Sequence, residues 1–147
     1  MSNTLLIQSC SGNKNNYDGL VPAMELYDGY FFRILKKAKR ENKLRDDVDI
    51  MILSAKHSLI EPDEEISYYD RVMDSKRAEE LNQDVLSALT CKLDQKNYDK
   101  VVLNLGKTYK KAVDGIEDIL SENQELEEIT GRGIGEKGGK FKELIRN

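Results

Sequence analysis

The amino-acid sequence predicts an α/β fold in which a parallel sheet is covered by helices on both faces. Short apolar runs alternate with segments whose apolar residues recur at helical spacing, the pattern of parallel strands joined by helical crossovers. Polar or glycine-bearing segments directly follow four of these runs, at residues 4–8, 48–53, 99–104 and 126–130. Because the carboxyl ends of parallel strands lie at one edge of a sheet, we expect these segments to surround a ligand site.

The first strand (residues 4–8) leads through a polar loop to a predicted helix over about residues 23–43, with Pro22 near its start. Proline is accepted there because the first N–H groups of a helix have no partner within it. Four cations cluster in the last turns of this helix: Lys36, Lys37, Lys39 and Arg40. Two interpretations stay open: a solvated helix end favoured by the helix dipole, or a contact surface for a phosphate backbone.

The second strand (residues 48–53) runs into a stretch without periodicity, residues 54–74. A loop this long inside a compact domain is often functional. Asp74 or Ser75 is placed to cap the next helix, whose apolar stripe includes Leu81 and Val85.

The rest of the chain predicts two further strands and two further helices. The third strand (residues 99–104) precedes a helical stripe that runs from Tyr109 to Leu120. A weaker fourth strand (residues 126–130) and a closing helix (residues 137–146) follow. No repeat or linker divides the pattern, so we expect one domain over residues 1–147.

Composition limits the class of protein. Of the 147 residues, 39% are hydrophobic and 34% charged, and the net charge of -4 argues against a broad surface that coats nucleic acid while leaving a local basic patch open. The apolar runs are too short to span a membrane, and no signal peptide is recognisable. Cys10 and Cys91 show no metal-binding spacing, so we expect free thiols, a cytoplasmic location, no metal and no cofactor.

The loop after the first strand offers an anion-binding surface. It carries hydroxyls at Ser9 and Ser11, a thiol at Cys10, backbone amides near Gly12 and a cation at Lys14. Glycine lets a ligand approach the backbone closely, although the spacing of a P-loop is absent. Cys10 acts as a nucleophile only beside a base or with a lowered pKa, so a packed thiol is the alternative.

The segment after the second strand contains His57, which is the chain's single histidine, between Lys56 and Ser58 and close to Ser54. A near-neutral pKa suits this imidazole to proton transfer or to binding developing negative charge. A structural role is the alternative. A zinc site is not expected, because no cysteine or second histidine accompanies it.

Two carboxylates in the long loop are candidates for catalysis. Asp70 lies beside Tyr69 and Arg71, and Asp63 lies earlier in the same loop. An anionic carboxylate next to a sugar ring stabilises an oxocarbenium-like transition state. Tyr69 is also placed to stack on a base. The alternative is that each residue only fixes its own loop.

The last two strand ends carry weaker signals. Asn104 and Gly106 flank the exit of the third strand, where the following amides favour an anion. Gly133 and Gly135 belong to a segment that formally matches GxGxxG. A dinucleotide site is rejected there, because no further strand and no acidic residue follow at the required distance.

Several motifs together resemble a family of small domains of unknown function that is often described as peroxide-stress YaaA-like. The motifs are Ser9-Cys10-Ser11 with Lys14, the segment Leu26-Tyr27-Asp28-Gly29-Tyr30-Phe31-Phe32-Arg33, the run from Ile52 to Asp63, Tyr69-Asp70, and Gly133-Ile134-Gly135-Glu136. The resemblance adds Arg33 to the candidate ligand-binding residues. Relatives usually carry glycine where this chain has Ser58, so the turn after His57 is expected to differ.

The pattern is also similar to the central domain of archaeosine synthases, which has a uracil-DNA-glycosylase-like fold. This resemblance implies a three-layer α/β/α sandwich around a four-stranded parallel sheet. It agrees with the alternation of strands and helices found above. It does not fix the reaction, because one fold supports many activities.

The sequence leads to two hypotheses for function. The first is an enzyme that acts on a nucleoside, nucleotide or modified base at its N-glycosidic bond. In it Ser9, Ser11 and Lys14 bind an anionic or sugar group, His57 acts on the base, and Asp70 or Asp63 stabilises the sugar cation. The alternative is a non-catalytic module that binds nucleotides or nucleic acid. The oligomeric state stays open.

Overall fold

The structure is a computed structural model that describes residues 3–147, so the first two residues of the predicted domain lie outside the described part. The strands are β1 (Thr4–Ser9), β2 (Val21–Pro22), β3 (Val48–Ser54), β4 (Ser58–Ile60), β5 (Glu65–Ile66), β6 (Lys100–Asn104) and β7 (Glu125–Glu128). The α-helices are α1 (Ala23–Leu26), α2 (Tyr30–Arg40), α3 (Ser75–Gln95), α4 (Ile116–Ile119) and α5 (Ile134–Ile145), and a 3-10 helix covers Lys107–Val113.

The main sheet is mixed and mostly parallel, with five strands in the order β4-β3-β1-β6-β7. β1 lies in the centre and pairs in parallel with β3 and β6, and β6 pairs in parallel with β7. These are the four strands that the apolar runs predict. The prediction of four strands in total was wrong, because β4 adds an antiparallel edge strand.

The extra strand arises inside the stretch that periodicity assigns to a loop. β4 folds back on β3 so that Ser58 pairs with Ser54 and Leu59 with Leu53. Its apolar pair, Leu59 and Ile60, is too short to show an alternating pattern. Ser58 has a φ of 67°, a left-handed conformation that favours glycine. The chain therefore keeps a strained serine where the resembling family usually has glycine. A second pairing in this stretch joins β5 to β2.

Alternating side chains of β1 divide the core into two parts. Leu6 points into a cluster shared with α1, α2 and α5, which contribute Leu26, Leu35 and Phe141. Leu5 and Ile7 point into a second cluster. There they meet buried side chains of α3, the 3-10 helix and α4, for example Leu89, Val113 and Ile116. Helices thus cover both faces of the sheet, as alternation predicts.

Two predicted helices are interrupted. The segment predicted as one helix over residues 23–43 forms α1 and α2, because Tyr27 leaves the helix to form a bridge with Lys14. Gly29 lies against the loop after β1, where a Cβ atom would come within 2.5 Å of the Ser11 Cβ. The third predicted helix breaks at Gly115, whose φ is 91°. The predicted cap of α3 is confirmed, since Asp74 accepts a hydrogen bond from the Arg77 N–H at 2.8 Å.

Candidate functional site

The candidate site lies where the central strands end. β1 ends at Ser9, β3 at Ser54 and β6 at Asn104, and β1 is hydrogen-bonded to both neighbours. From β1 the chain crosses to β3 on one side of it, and later returns to β6 on the other side of β1. The direction in which strands are added therefore reverses between β1 and β6. Such a reversal opens a crevice beyond the carboxyl ends of parallel strands.

A buried amide pair joins β1 to β6 below this crevice. The Asn104 side chain is 5% exposed, and its Nδ2 donates to Gln8 Oε1 at 2.7 Å. The Ser9 hydroxyl donates to the Asn104 carbonyl at 3.5 Å. Ser9 and Asn104, which the sequence predicts as ligand-binding residues, therefore lie in the floor of the candidate site. The Gln8 amide nitrogen in turn donates to the Ser9 carbonyl at 3.0 Å, so the buried pair is hydrogen-bonded, as buried amides require.

Buried hydroxyls tie the long loop to the sheet. The hydroxyl of Tyr69 lies 2.6 Å from that of Tyr27 and 2.9 Å from that of Ser54. Ser54 Oγ also accepts hydrogen bonds from the N–H groups of Lys56 and His57. Burial, reinforced by the neighbouring Cys10, raises the pKa of Tyr27 to about 12. The pKa of Tyr69 is raised for the same reasons, so both phenols stay neutral at physiological pH.

Cations and an imidazole surround the ring of Tyr69. Lys14 Nζ lies 4.6 Å from the ring centroid and Lys56 Nζ lies 5.9 Å from it. The His57 ring meets Tyr69 edge to face, with centroids 5.4 Å apart. Burial and then the charge of Lys56 lower the pKa of His57, so its imidazole is neutral at pH 7. Within residues 3–147, His57 Nε2 is buried without a hydrogen-bond partner.

A cleft of about 220 Å³ opens at Asp70, the residue that follows Tyr69. Its lining includes Cys10, Ser11, Lys14, Asp70, Arg71 and Tyr109. Cys10 Sγ lies 3.1 Å from the Tyr109 hydroxyl, and burial together with this thiol raises the pKa of Tyr109. The cleft thus combines one carboxylate, two cations, a thiol and a neutral phenol. This set can bind an anion and stabilise a developing cation within one small space.

The structure brings some predicted residues into the cleft and others around Tyr69. Cys10, Ser11, Lys14 and Asp70 line the cleft. Ser54, Lys56 and His57 contact Tyr69 or its hydroxyl. Lys14 belongs to both groups and therefore connects them.

Other predicted residues lie away from the cleft lining. Asp63 lines a separate cavity of about 390 Å³ with Lys39 and Asp49. Arg33 lies on the exposed side of α2, where its Nη2 is 3.1 Å from Asp28 Oδ2. Gly106 precedes the 3-10 helix and accepts the Tyr109 N–H at 3.0 Å. Gly133 and Gly135 lie exposed at the start of α5.

Sequence reasoning missed the roles of Tyr27 and Tyr109. Both recur at helical spacing with apolar neighbours, a pattern that predicts positions on the core-facing side of a helix. Their rings do pack there, but their hydroxyls reach Tyr69 and Cys10. The available signal was the residue type, because a buried tyrosine usually finds a partner for its hydroxyl.

The described residues were also searched for metal-binding groups and for membrane-spanning helices. Over residues 3–147, no three or more His, Cys, Asp or Glu side chains are grouped so that they could hold a metal ion. Over the same residues, every helix is too short or too polar to cross a membrane.

Comparisons with known proteins place the chain in a family. It is similar to the crystal structure of AF0587, a protein of unknown function, with a TM-score of 0.53 and 16% sequence identity. The similar region covers 99% of this chain but 45% of AF0587, so the likeness concerns the fold alone and the chain spans less than half of that relative. None of the curated proteins matches the chain. The model of DUF6884, a family of unknown function, matches residues 5–143, and the chain therefore belongs to this family.

Proposed function

We propose that the chain is an enzyme that hydrolyses the N-glycosidic bond of a nucleoside, a nucleotide or a nucleotide unit. The observation that carries the proposal is the cleft at the carboxyl ends of β1 and β6, where Asp70 and Lys14 line one small space. Helices on both faces of a mostly parallel sheet support a three-layer, uracil-DNA-glycosylase-like sandwich. The resemblance to the central domain of archaeosine synthases implies the same fold, and it supports the location of the site and not the reaction.

The size of the cleft suits a small group. Sites that enclose drug-sized ligands occupy about 300–1,000 Å³. The cleft, at about 220 Å³, is smaller and fits a base or a sugar more closely than an extended cofactor. The remainder of a nucleotide would lie at its open mouth, where Lys14 and the amides near Gly12 are available to a phosphate.

Asp70 has the leading chemical role. Water attacks the anomeric carbon, the C–N bond breaks, and the base departs with the bonding electrons and gains a proton. The Asp70 carboxylate stabilises the positive charge that develops on the sugar and orients the attacking water. Ser11 and Lys14 hold the anionic or sugar group, and Tyr69 contacts the base.

His57 has a supporting role in this proposal. Its Nε2 atom is buried and without a partner in the described residues. A buried polar atom in that state costs free energy, which a hydrogen bond to a ligand recovers. We therefore assign His57 to the base or leaving group.

The test is release of free base from a panel of nucleosides, nucleotides and single-stranded oligonucleotides, measured by chromatography. Asp70→Asn should reduce turnover about 100-fold or more, because the charge that stabilises the transition state is lost. Its melting temperature should stay unchanged, since Asp70 is exposed. Asp84→Asn is the matched control, because Asp84 is exposed on α3 away from the cleft, and it should keep full turnover.

The same panel separates catalysis from binding. Thermal stabilisation by a nucleotide without release of base from any substrate would contradict the enzymatic proposal and favour the non-catalytic module. Equal turnover by wild type and Asp70→Asn would remove Asp70 from the mechanism.

A further inference from the structure

A second concave surface lies between α2 and α5, outside the cleft. It encloses about 350 Å³, and its lining residues are Tyr30, Arg33, Ile34, Lys37, Lys142 and Arg146. We call this surface the α2/α5 groove. The first four of these residues recur at helical spacing, so they form one face of α2.

The groove begins next to the candidate site. Gly29 precedes Tyr30 and packs against Ser11, which lines the cleft, closely enough that a Cβ atom would come within 2.5 Å of the Ser11 Cβ. Gly138 of α5 packs against the Tyr30 ring, so the two helices approach closely at this end. From Tyr30 to Lys37 the α2 face extends about 10 Å, given a rise of about 1.5 Å per residue. A chain that leaves the cleft past Ser11 therefore meets this groove.

The groove is positively charged on a chain whose net charge is -4. Among residues 3–147, its lining contains four cations and no carboxylate. Arg33 is paired with Asp28, and Arg146 with Glu41. Lys37 and Lys142 take part in no ion pair among residues 3–147. A local excess of positive charge with unpaired lysines attracts a polyanion.

The floor of the groove is apolar and partly aromatic. Ile34 is 8% exposed, whereas Tyr30 is 40% exposed and offers part of its ring to solvent. Cations along a groove together with an accessible aromatic ring are what non-sequence-specific binding of single-stranded nucleic acid uses, since phosphates meet the cations and a base stacks on the ring. An acidic peptide would match the cations but would not need the ring.

We propose that the substrate of the cleft is a single-stranded polynucleotide whose flanking nucleotides lie in the α2/α5 groove. The length of about 10 Å accommodates at most about three nucleotides, the number reached when the strand keeps the stacked spacing of about 3.4 Å. This inference rests on the proposed function for its catalytic part, because the unit in the cleft loses its base there. Binding of the flanking strand depends on the groove alone and is measured separately.

The first experiment measures binding of a fluorescent 12-nucleotide single strand by anisotropy at several salt concentrations. The groove variant Lys37→Glu/Lys142→Glu should bind about tenfold more weakly or worse, and its salt slope should be smaller by about 1.4, because two phosphate contacts at about 0.7 each are lost. The matched control is Lys96→Glu/Lys111→Glu, which changes the charge equally at two exposed lysines on the α3 side of the sheet, opposite α2 and α5. It should bind within about twofold of wild type, since only screened, distant charge is changed.

A third variant tests the aromatic ring of the groove independently of the lysines. Tyr30→Leu keeps an apolar residue in the floor and should weaken strand binding about fivefold, because one base loses its stacking partner. The lysine variants should retain the melting temperature of wild type within about 3 °C, since their side chains are solvent-exposed, and binding by Tyr30→Leu is measured below its own unfolding transition.

Four outcomes decide the matter. Equal affinities for the groove variant and its control would overturn the inference, even if base release from free nucleosides is observed. Displacement of the strand by a polyglutamate peptide of equal charge, at equal concentration, would overturn it in favour of an acidic protein partner. Groove-dependent strand binding without base release would support the strand path and overturn the N-glycosidic activity. Base release that is faster from the oligonucleotide than from the nucleoside, and that loses this preference in the groove variant, would support both.

Discussion

At the scale of single residues, the site depends on neutral polar groups that are held away from water. Tyr69 is 5% exposed, yet its hydroxyl has two partners, and its ring is approached by Lys14 and His57. The burial that raises the pKa of Tyr69 also lowers that of His57, because burial disfavours whichever form is charged. A phenol and an imidazole thus both stay uncharged between two lysines. In the described part of the chain, Asp70 supplies the carboxylate of the neighbouring cleft lining.

The single histidine makes the electrostatic prediction simple to test. We expect the His57 imidazole to titrate below its ordinary pKa of 6.5, because burial and Lys56 both disfavour its charged form. The unfolded chain then binds more protons than the folded chain between these two pKa values. The free energy of unfolding should therefore fall as the pH decreases from about 6.5 through the folded-state pKa, and no such penalty should exist above that range.

The measurement is a proton NMR titration of the imidazole signal, which belongs to one residue only. Urea unfolding at several pH values gives the linked change in stability. His57→Gln serves as the reference, because it removes the histidine contribution to the pH dependence of stability and leaves the contributions of the carboxylates unchanged. An imidazole that titrates at or above 6.5 in the folded protein would contradict the described burial.

At the scale of elements, periodicity predicts the strands well and the helix ends poorly. The four parallel strands are runs of buried residues, so each is visible as a short apolar segment. The break between α1 and α2 is not visible, because Leu26, Tyr27 and Tyr30 fit one helical stripe. It is set by tertiary contacts: Tyr27 bridges to Lys14, and Gly29 packs on Ser11. Periodicity does not predict β4 for a related reason. A tight turn pairs β4 with β3, and β4 itself is too short to show an alternating hydrophobic pattern.

The break predicts a specific role for Gly29. Gly29→Ala should lower the free energy of unfolding by about 1–3 kcal/mol, because the new methyl group would lie 2.5 Å from the Ser11 Cβ and force the loop after β1 to shift. Ligand affinity at the cleft should fall with it, since that loop carries Lys14. Urea unfolding and thermal shift with the best ligand of the nucleotide panel measure the two effects.

Gly139→Ala provides the comparison. Gly139 lies inside α5 with open space around its Cα, so alanine should stabilise the protein by about 0.5–1 kcal/mol through its better helix propensity. If Gly29→Ala were as stable as wild type, the close contact with Ser11 would not constrain the α1–α2 break.

At the scale of the whole molecule, the rule that ligands bind at the carboxyl ends of parallel strands predicts the place of the candidate site. The paths of the loops determine which side chains line it. Ser9, Ser54 and Asn104 could be placed together from the sequence because each ends a parallel strand. Asp63 and Asp70 could not be distinguished, since both lie in one long loop whose path depends on the burial of Tyr69. Only the fold shows that Asp70 lines the cleft while Asp63 lines another cavity. The α2/α5 groove could not be predicted from the cation cluster at the end of α2, because only Lys37 of that cluster lines it and its α5 side comes from residues about 100 positions later in the sequence.

The two-sided core predicts that sheet, site and groove unfold together. Leu5 and Leu6 are neighbours on β1, yet they belong to different cores, so neither core can be lost without exposing the same strand. Phe141→Ala on α5 should cost about 3–5 kcal/mol, and Leu89→Ala on α3 about 2–5 kcal/mol, because both side chains are fully buried. Circular dichroism and tyrosine fluorescence should report one coincident urea transition in each variant, since the chain has seven tyrosines and no tryptophan. Separate transitions in Phe141→Ala would mean that α5 detaches while the sheet persists, and the α2/α5 groove would then be a local feature instead of part of the folding unit.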